Sequence, residues 1–436
     1  MRTRLSWIAL LASLVAACDF SQGKMVGDDQ PEEPDAGVDG QTGCAEGLAG
    51  AGCVLALYDQ AAASCDPADV AKLTAALDAR AGLGPLWAGG RALFRTAAPR
   101  AVAGAFNEWS TTALQTSALC GSSLVVGVGA VPTGLHPYKL VDGDTWSLDP
   151  ENPAFAYDDF AGNADGKNSV IDTPDSGKGH LVALDRVCGA ELGNCRDVTA
   201  YLPPGYDAPE AASTTYPVLF MHDGKNVWDD HDCCFGHTGW EVNVTLDAEI
   251  AANRVAPVIV IAADQTTARN DEYGLSQATM DKFIAFQIDE LQPRALAKVR
   301  GNGRVYIAGS SLGGLVSMHL ALRHPQTYAG VASLSGAFWP GMEDGTALRD
   351  QLPSMGKQPL AIYVDSGGSV AQNSDGAADT VEVRDLLVQM GWQRADSPTC
   401  TAGPSSVCYY LESGATHDEL AWKARAWRFL RYLFPN

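Results

Sequence analysis

Between residue 173 and the C-terminus, fully apolar runs alternate with longer stretches in which apolar residues recur at helical spacing. The apolar runs lie at 217–221, 257–262, 305–309, 330–335, 360–364 and 408–412. The helical patterns cover 238–252, 277–299, 312–323, 378–390 and 418–433. Strands that are apolar on both faces and separated by helices are typical of a parallel sheet covered on both sides. We therefore predict an α/β fold for residues 173–436, with functional groups at the carboxyl ends of the strands.

Residues 91–172 show a different pattern. Short β-like runs are separated by turn residues: RALFRT, AVAGAF, SLVVGVGA and HPYKLVDG. This spacing predicts a small all-β, immunoglobulin-like sandwich ahead of the α/β domain. The interval 44–90 contains one helix-like stretch, ADVAKLTAALDARAG, whose place in the fold stays open.

The N-terminus has the pattern of an export signal. Two arginines precede an apolar run of 13 residues, 5–17, which is too short to cross a bilayer as a helix. The run ends in LVAAC, which resembles the bacterial lipobox, so we predict a lipoprotein signal peptide, 1–18, that ends at a lipidated Cys18. Residues 19–43 are acidic and rich in proline and glycine, and we expect a disordered tether there. The chain would then be a membrane-anchored bacterial lipoprotein, periplasmic or on the cell surface.

Composition narrows the partners. The 436 residues carry a formal net charge of -22, which argues against nucleic acid and leaves the lipid anchor as the only expected membrane contact. Of the 11 cysteines, ten remain after Cys18, an even number typical of disulfides in an oxidising compartment. Close pairs are expected at Cys188/Cys195 and Cys400/Cys408, while the adjacent Cys233 and Cys234 pair with each other or with distant partners. The cysteines and histidines lack the spacing of a structural zinc site, and we expect no metal or cofactor.

The candidate nucleophile is Ser311. It lies in the sequence GSSLG, between an apolar strand and a helical pattern, which is the setting of a nucleophile elbow. The alternative is that Ser311 merely caps the following helix. A serine hydroxyl needs a base, and His417 follows the last strand, where such a fold carries its histidine.

Three aspartates are candidates for the acid that orients His417: Asp365, Asp375 and Asp379. Asp365 ends its strand so early that the chain still has to turn, and Asp379 falls in the next helix. Asp375 is therefore favoured and the other two stay open. The oxyanion hole is expected to use the backbone N–H of Leu312 and one from the loop after 217–221, with Lys225 favoured over Gly224.

Motifs spread over about 250 residues carry a resemblance: YPVLFMHDGKNVWDD, QTTARNDEYG, VYIAGSSLGGL, ASLSGAFWP and GATHDELAW. In this order they resemble the esterase family that includes esterase D, enterochelin esterase and bacterial feruloyl esterases. The resemblance implies an α/β-hydrolase that cleaves carboxylic esters with a Ser311, His417 and Asp375 triad.

The same resemblance implies a substrate cleft lined by Arg269, Tyr273 and Trp339, and His222 follows an earlier strand from which it could also line the site. Arg269 has an alternative role as an ion-pair partner of Glu272 or Asp271. The insertion HDCCFGH departs from many relatives and falls in a loop near the expected cleft.

The segments VAGAFNEWS and GLHPYKLVDGDTWSLDPENP resemble the glycogen-binding module. The positions that hold sugar in that module fall here on Trp109, Lys139, Trp146 and Asn168, which implies polysaccharide contact. The alternative is that both tryptophans are part of the sandwich core or of an interdomain contact.

These predictions together describe a secreted, lipid-anchored serine esterase that acts on a small-molecule or glycan-linked ester. Two alternatives stay open. One is a surface carbohydrate-binding lipoprotein with a vestigial hydrolase domain, and the other is an acyltransferase that uses the same triad.

Overall fold

The structure is a computed structural model that describes residues 50–160, 162–163, 166–230, 233–234, 238–339, 341, 347–396 and 400–436. The predicted signal peptide, Cys18 and the tether lie outside these residues. Numbered along the chain, the strands are β1 (Leu86–Ala88), β2 (Arg91–Arg95), β3 (Ala101–Gly104), β4 (Ser117–Ala118), β5 (Val125–Ala130), β6 (Leu135–Asp142), β7 (Thr145–Ser147), β8 (Ala154–Tyr157), β9 (Lys167–Asp172), β10 (His180–Cys188), β11 (Cys195–Leu202), β12 (Tyr216–Met221), β13 (Ile259–Ala263), β14 (Gly301–Ser310), β15 (Tyr328–Leu334), β16 (Ala361–Ser366), β17 (Gln393–Asp396) and β18 (Ser406–Leu411). The helices are α1 (Ala51–Ser64), α2 (Pro67–Asp78), α3 (Gly224–Val227), α4 (Val242–Ala251), α5 (Gln277–Ala285), α6 (Gln292–Leu296), α7 (Leu312–Arg323), α8 (Leu348–Met355), α9 (Ala377–Gln389) and α10 (Glu419–Leu433).

The predicted α/β fold is confirmed. Strands β17, β18, β16, β15, β14, β12 and β13 form a continuous parallel ladder in that order. Each of the six predicted apolar runs forms one of these strands. The additional edge strand β17 has the polar sequence QRAD, so an apolar pattern does not reveal it. Beyond β13 the sheet continues antiparallel through β11 and β10.

The large sheet also runs on into the N-terminal half of the chain. Strand β8 pairs with β10 and then with β9, which pairs with β6, and β6 pairs with β3 and β7. The register joins Phe155 of β8 directly to Leu181 of β10. One hydrogen-bonded sheet therefore crosses the predicted boundary at residue 172, and the division of the chain there stays a prediction.

A second sheet, in the order β1, β2, β5 and β4, lies against this edge of the large sheet. Side chains on β2 alternate between two cores, as expected for a strand buried on both faces. Phe94 packs with Val102 and Tyr138 of the large sheet, whereas Leu93 points to the opposite face.

Helices α1 and α2 cover that opposite face, which gives residues 50–90 of the helix-like interval their place. Val54 of α1 and Leu73 of α2 are fully buried in the same cluster as Leu93. Asp66 caps α2 by accepting a hydrogen bond from the Ala68 N–H at 2.8 Å. A disulfide, Cys65–Cys120, ties the helix pair to the loop after β4 across 55 residues.

The expected local disulfides are confirmed. Cys188 bonds to Cys195, Cys400 bonds to Cys408, and the adjacent Cys233 and Cys234 bond to each other. Within the described ranges, no helix is long and apolar enough to cross a membrane.

A buried histidine joins β9 to β10 at the predicted boundary. His180 Nδ1 lies 2.8 Å from Asp172 Oδ2, and its Nε2 lies 3.3 Å from Asp207 Oδ2. Burial alone would lower the pKa of His180, but the two carboxylates offset it and raise the pKa to about 10. The imidazolium therefore donates to a carboxylate on each side at neutral pH.

The contacts of His180 with Asp172 and Asp207, which we call the His180 clamp, predict a free energy of unfolding that falls as the pH rises. A histidine whose pKa is raised on folding contributes fully below its unfolded pKa, near 6.5, and loses that contribution as pH rises through about 10. We expect wild type to be more stable than His180→Gln by on the order of 3 kcal/mol at pH 6 and by little at pH 10.5. Urea unfolding of both proteins across this range measures the difference, with the exchange His136→Gln as control. A difference that does not change with pH would contradict the clamp.

Candidate active site

Ser311 forms a strained corner between β14 and α7. Its φ is 54° and its ψ is -126°, a conformation that non-glycine residues rarely adopt. The corner is fixed by its own backbone, because the Ser311 N–H donates to Leu334 O at 3.0 Å and its carbonyl accepts from the Ala337 N–H at 3.0 Å. The side chain makes no capping hydrogen bond to α7. Ser311 thus occupies the N-cap position of α7 through its backbone alone, and its hydroxyl is not used for capping.

Two glycines allow this corner to close. A Cβ added to Gly309 would lie 2.5 Å from the carbonyl carbon of Gly313. A Cβ on Gly313 would lie 3.0 Å from Asp223 Oδ2 and 3.3 Å from the Cβ of His222. The first glycine permits the tight turn, and the second lets the loop after β12 lie directly beside it.

A chain of hydrogen bonds leads away from the Ser311 hydroxyl. Ser311 Oγ lies 2.9 Å from His417 Nε2, and His417 Nδ1 lies 2.5 Å from Asp375 Oδ1. His417 follows β18 just before α10, and Asp375 lies in the loop between β16 and α9. The three predicted side chains are thus brought together at the carboxyl edge of the sheet.

The other two aspartates have different partners. Asp379 accepts hydrogen bonds from Arg349 at 3.1 Å and from Asn373 at 2.8 Å. Asp365 is fully buried, 3.1 Å from Arg425 Nε, and accepts from the Tyr363 hydroxyl at 3.0 Å. The alternatives Asp365 and Asp379 are therefore wrong, because Asp375 is the carboxylate that binds His417.

The sequence patterns did not predict the residues that bind Oδ2 of Asp375, the oxygen that does not face His417. The Ser335 hydroxyl lies 2.6 Å from Asp375 Oδ2, and the Gly367 N–H donates to the same oxygen. The Ser335 hydroxyl also lies 3.0 Å from Trp422 Nε1 and 2.6 Å from Arg425 Nη2. A serine at a strand end and two residues on an amphipathic helix carry no sequence signal of such a contact.

The predicted oxyanion donors lie on adjacent segments. Leu312 is the first residue of α7, and Lys225 follows Gly224 at the start of α3. Within the described part of the chain, the N–H groups of Leu312 and Lys225 have no hydrogen-bond acceptor. Both are therefore available to a ligand oxygen, as an oxyanion hole requires.

The loop that carries Lys225 is held by a forked ion pair. Arg269 donates from Nε to Asp223 Oδ1 at 2.5 Å and from Nη2 to Asp223 Oδ2 at 2.7 Å. Its guanidinium also lies over the Tyr273 ring, 5.1 Å from the centroid. The alternative pairing of Arg269 with Glu272 or Asp271 is wrong, because Glu272 instead pairs with buried Arg196 at 2.5 Å.

The predicted cleft residues divide into buried and exposed ones. Tyr273 and His222 are buried against each other, with ring centroids 5.2 Å apart, so neither side chain is open to a ligand. Burial lowers the pKa of His222 to about 3, helped by the charges of Arg269 and Arg196, which keeps it neutral. Trp339, in contrast, is 45% exposed, and its ring centroid lies 6.2 Å from that of His417.

All four predicted sugar-binding residues line one cavity of about 680 Å³: Trp109, Lys139, Trp146 and Asn168. The two tryptophans are 37% and 41% exposed, with ring centroids 6.3 Å apart, so neither is part of the core. Asn168 donates to Asp158 Oδ2 at 3.0 Å, and Phe160, which is 70% exposed, forms a further wall. We call this cavity the aromatic basin.

The family model described as "Putative esterase" matches residues 189–429, more than half of the 436-residue chain. The chain belongs to this esterase family. The matched segment contains Ser311, Asp375 and His417 together with the whole parallel ladder. The aromatic basin and the α1–α2 pair precede the matched segment of this esterase-family chain.

Among curated relatives, the esterase-family chain is 26% identical over 254 residues to an endo-1,4-beta-xylanase/feruloyl esterase of Xylanibacter ruminicola, covering 56% of this chain and 30% of the relative. It is 26% identical over 249 residues to an iron(III) enterobactin esterase of Dickeya dadantii, covering 53% and 52%. The chain thus spans about a third to a half of the length of these relatives. It is also similar to the solved enterochelin esterase of Shigella flexneri, at 15% identity and a TM-score of 0.44, covering 80% of this chain and 94% of that one.

The corner at Ser311 predicts a strong cost for a methyl group at Gly309. In Gly309→Ala the new Cβ meets backbone at 2.5 Å, which no side-chain rotation can relieve. We expect a loss of about 1–3 kcal/mol in the free energy of unfolding, measured by urea denaturation. Gly403→Ala is the matched control, since no described atom lies within 4 Å of its added Cβ. Equal stability of the two variants would contradict the tight corner.

Proposed function

We propose that this chain is an exported, lipid-anchored serine esterase that hydrolyses carboxylic esters through an acyl-enzyme on Ser311. The observation that carries the proposal is the hydrogen-bond chain from Ser311 Oγ to His417, at 2.9 Å, and on to Asp375, at 2.5 Å. Family membership supports the same chemistry.

In the first half of the reaction, His417 Nε2 accepts the Ser311 proton as Oγ attacks the ester carbonyl carbon. Asp375 stabilises the imidazolium and holds the tautomer whose Nδ1 carries a proton. The negative charge on the tetrahedral oxygen is stabilised by the N–H groups of Leu312 and Lys225. The intermediate collapses as His417 returns its proton to the leaving alcohol, which leaves the acyl group on Oγ.

In the second half, water takes the place of the alcohol. His417 removes a proton from this water as it attacks the acyl carbon, and returns the proton to Ser311 Oγ as the bond between Oγ and the acyl carbon breaks and the carboxylic acid is released. An acyltransferase would differ only in using an alcohol in place of water. Product analysis with and without an added alcohol separates these two outcomes.

The substrate class follows from the ring beside His417 and from the relatives. Trp339 offers an exposed aromatic face 6.2 Å from the His417 ring, which suits an acyl or alcohol part that carries a ring. The two relatives named above are a feruloyl esterase and an enterobactin esterase. We propose aryl esters, carbohydrate-linked acyl esters or siderophore esters as substrates.

The cellular location rests on sequence features. The LVAAC segment supports cleavage and lipidation at Cys18, and the acidic stretch after it supports a tether to the membrane. The four disulfides among the described residues are consistent with an oxidising compartment.

The triad predicts a large loss of turnover when either Ser311 or Asp375 is replaced. Ser311→Ala should lower kcat by at least about 10³-fold, and Asp375→Asn by about 10⁴-fold because the His417 tautomer is then no longer held. Asp379→Asn is the matched control and should stay within about threefold of wild type, since Asp379 binds Arg349 and Asn373 instead. Nitrophenyl esters, methyl ferulate and acetylated glycans serve as assay substrates. A Ser311→Ala variant that keeps a tenth of the activity would refute the proposal.

A second function is proposed for the aromatic basin. We infer that it binds polysaccharide, because two exposed tryptophans can stack on sugar rings while the buried Lys139 and Asn168 offer polar contacts inside a cavity of about 680 Å³. A vestigial hydrolase domain with only this activity is the alternative to the esterase.

Loss of one tryptophan should weaken this binding without affecting ester hydrolysis. We expect Trp146→Ala to weaken retention in glycan affinity gels by at least about tenfold, because stacking on that ring is lost. The turnover of nitrophenyl esters should remain within about twofold of wild type. Trp427→Ala, on α10 and outside the basin, is the control. Equal retention of Trp146→Ala and wild type on every glycan tried would exclude the basin as a sugar site.

A further inference from the structure

Ser335 follows β15 in a conformation that serine rarely adopts, with φ at 45°. The residue is fully buried, and its N–H lies 2.9 Å from the main-chain oxygen of Asp365 and 3.1 Å from Asp365 Oδ1. Residues strained in this way persist where their surroundings fix them, and they cluster at functional sites. In this conformation the Ser335 hydroxyl points to Asp375 Oδ2, the carboxylate oxygen that does not bind His417.

The direction of each hydrogen bond at Ser335 follows from counting protons. An indole N–H and a guanidinium are donors only, so Trp422 Nε1, at 3.0 Å, and Arg425 Nη2, at 2.6 Å, both donate to the Ser335 oxygen. The hydroxyl has one proton left to donate. That proton goes to the carboxylate of Asp375, whose Oδ2 is 2.6 Å away.

The charge of Arg425 secures this arrangement. Burial alone would lower the pKa of Arg425, but the carboxylates of Asp365 and Asp375 more than offset it, so the pKa is raised and the side chain is a cation. Its Nη2 lies 3.8 Å from Asp375 Oδ2, beyond hydrogen-bond distance. Arg425 therefore acts on Asp375 through Ser335: the guanidinium donates to the Ser335 oxygen, and the Ser335 hydroxyl donates to Asp375.

Asp375 is thereby fixed in orientation. Its Oδ2 accepts from the Ser335 hydroxyl and from the Gly367 N–H, which leaves Oδ1 to accept from His417 Nδ1. Two donors on one oxygen and one on the other set the plane of the carboxylate. A carboxylate in this state accepts from Nδ1 and keeps Nε2 free to take the Ser311 proton.

We propose that Ser335 is a positioning residue for ester hydrolysis: its hydroxyl, held by Trp422 and Arg425, orients Asp375 toward His417. This inference rests on the proposed role of Ser311 as nucleophile. It adds to that role a fourth side chain, one that touches neither the substrate nor the reacting atoms.

The test removes the hydroxyl in two ways. Ser335→Ala keeps the strained backbone, and Ser335→Gly relieves it, so a common effect reports the hydroxyl alone. Ser333→Ala is the matched control, because Ser333 is two residues earlier, equally buried, and its hydroxyl has no hydrogen-bond partner among the described residues. Circular dichroism melting checks that each variant folds.

We expect both Ser335 variants to lower kcat by about 10- to 100-fold, the cost of a misplaced catalytic group, with KM within about threefold. Ser333→Ala should keep kcat within about twofold. The proton on His417 Nδ1, in a short bond to Asp375, should give a far-downfield NMR signal. That signal should shift upfield or disappear in the Ser335 variants and persist in the control.

The outcomes separate this inference from the proposed function. If Ser311→Ala is inactive while both Ser335 variants keep wild-type kcat and the downfield signal, the inference is overturned and the esterase stands. An equal loss of kcat in Ser333→Ala would also overturn it. If Ser311→Ala keeps full turnover, the proposed function falls and the catalytic role of Ser335 falls with it.

Discussion

The hydrogen bond between Ser311 and His417 joins residues 106 positions apart, and it exists only because two parallel strands end on the same edge of one sheet. Strand β14 delivers the serine directly, through a corner too tight for a Cβ at Gly309. The histidine arrives from β18, with β16 and β15 lying between the two strands. The register of these four strands therefore sets the serine–histidine distance, and a slip of one residue in β14, β15, β16 or β18 would separate the two side chains.

The same sheet extends without interruption to the strands around the aromatic basin. Asn168 lies on β9, which pairs through β8 with β10, and the pairing continues through β11, β13 and β12 to the serine strand. Backbone hydrogen bonds, and not only a linker segment, therefore join the basin to the strands of the candidate active site. The buried His180 clamp adds a charged tie between β9 and β10 at the point where a hinge would otherwise fall. One hydrogen-bonded sheet therefore links the strands around the basin to the candidate active site.

Local patterns carried most of what the sequence could predict. Apolar runs marked each strand of the parallel ladder except β17, whose QRAD sequence is polar because an edge strand need not be buried on both faces. Gly309 and Gly313 marked the corner, because a Cβ at either position would crowd the neighbouring backbone or loop. The choice among Asp365, Asp375 and Asp379 was harder, since it depends on how a loop folds back over the sheet. Contacts between distant segments, such as Asp223 with Arg269 or Cys65 with Cys120, left no trace in the pattern.

The base of the site is polar although it is fully buried, and energetics explain what this arrangement costs. Asp365 and Arg425 are both fully buried, and a buried ion pair commonly contributes little net stability because each partner loses its hydration. An apolar pair of similar volume would serve stability as well. An apolar side chain could not donate a hydrogen bond to Ser335. Because Arg425 donates to the Ser335 oxygen, the hydroxyl proton of Ser335 is directed at Asp375. Burying the Asp365–Arg425 pair costs desolvation free energy, but it places the guanidinium that fixes the direction of the hydrogen bond from Ser335 to Asp375.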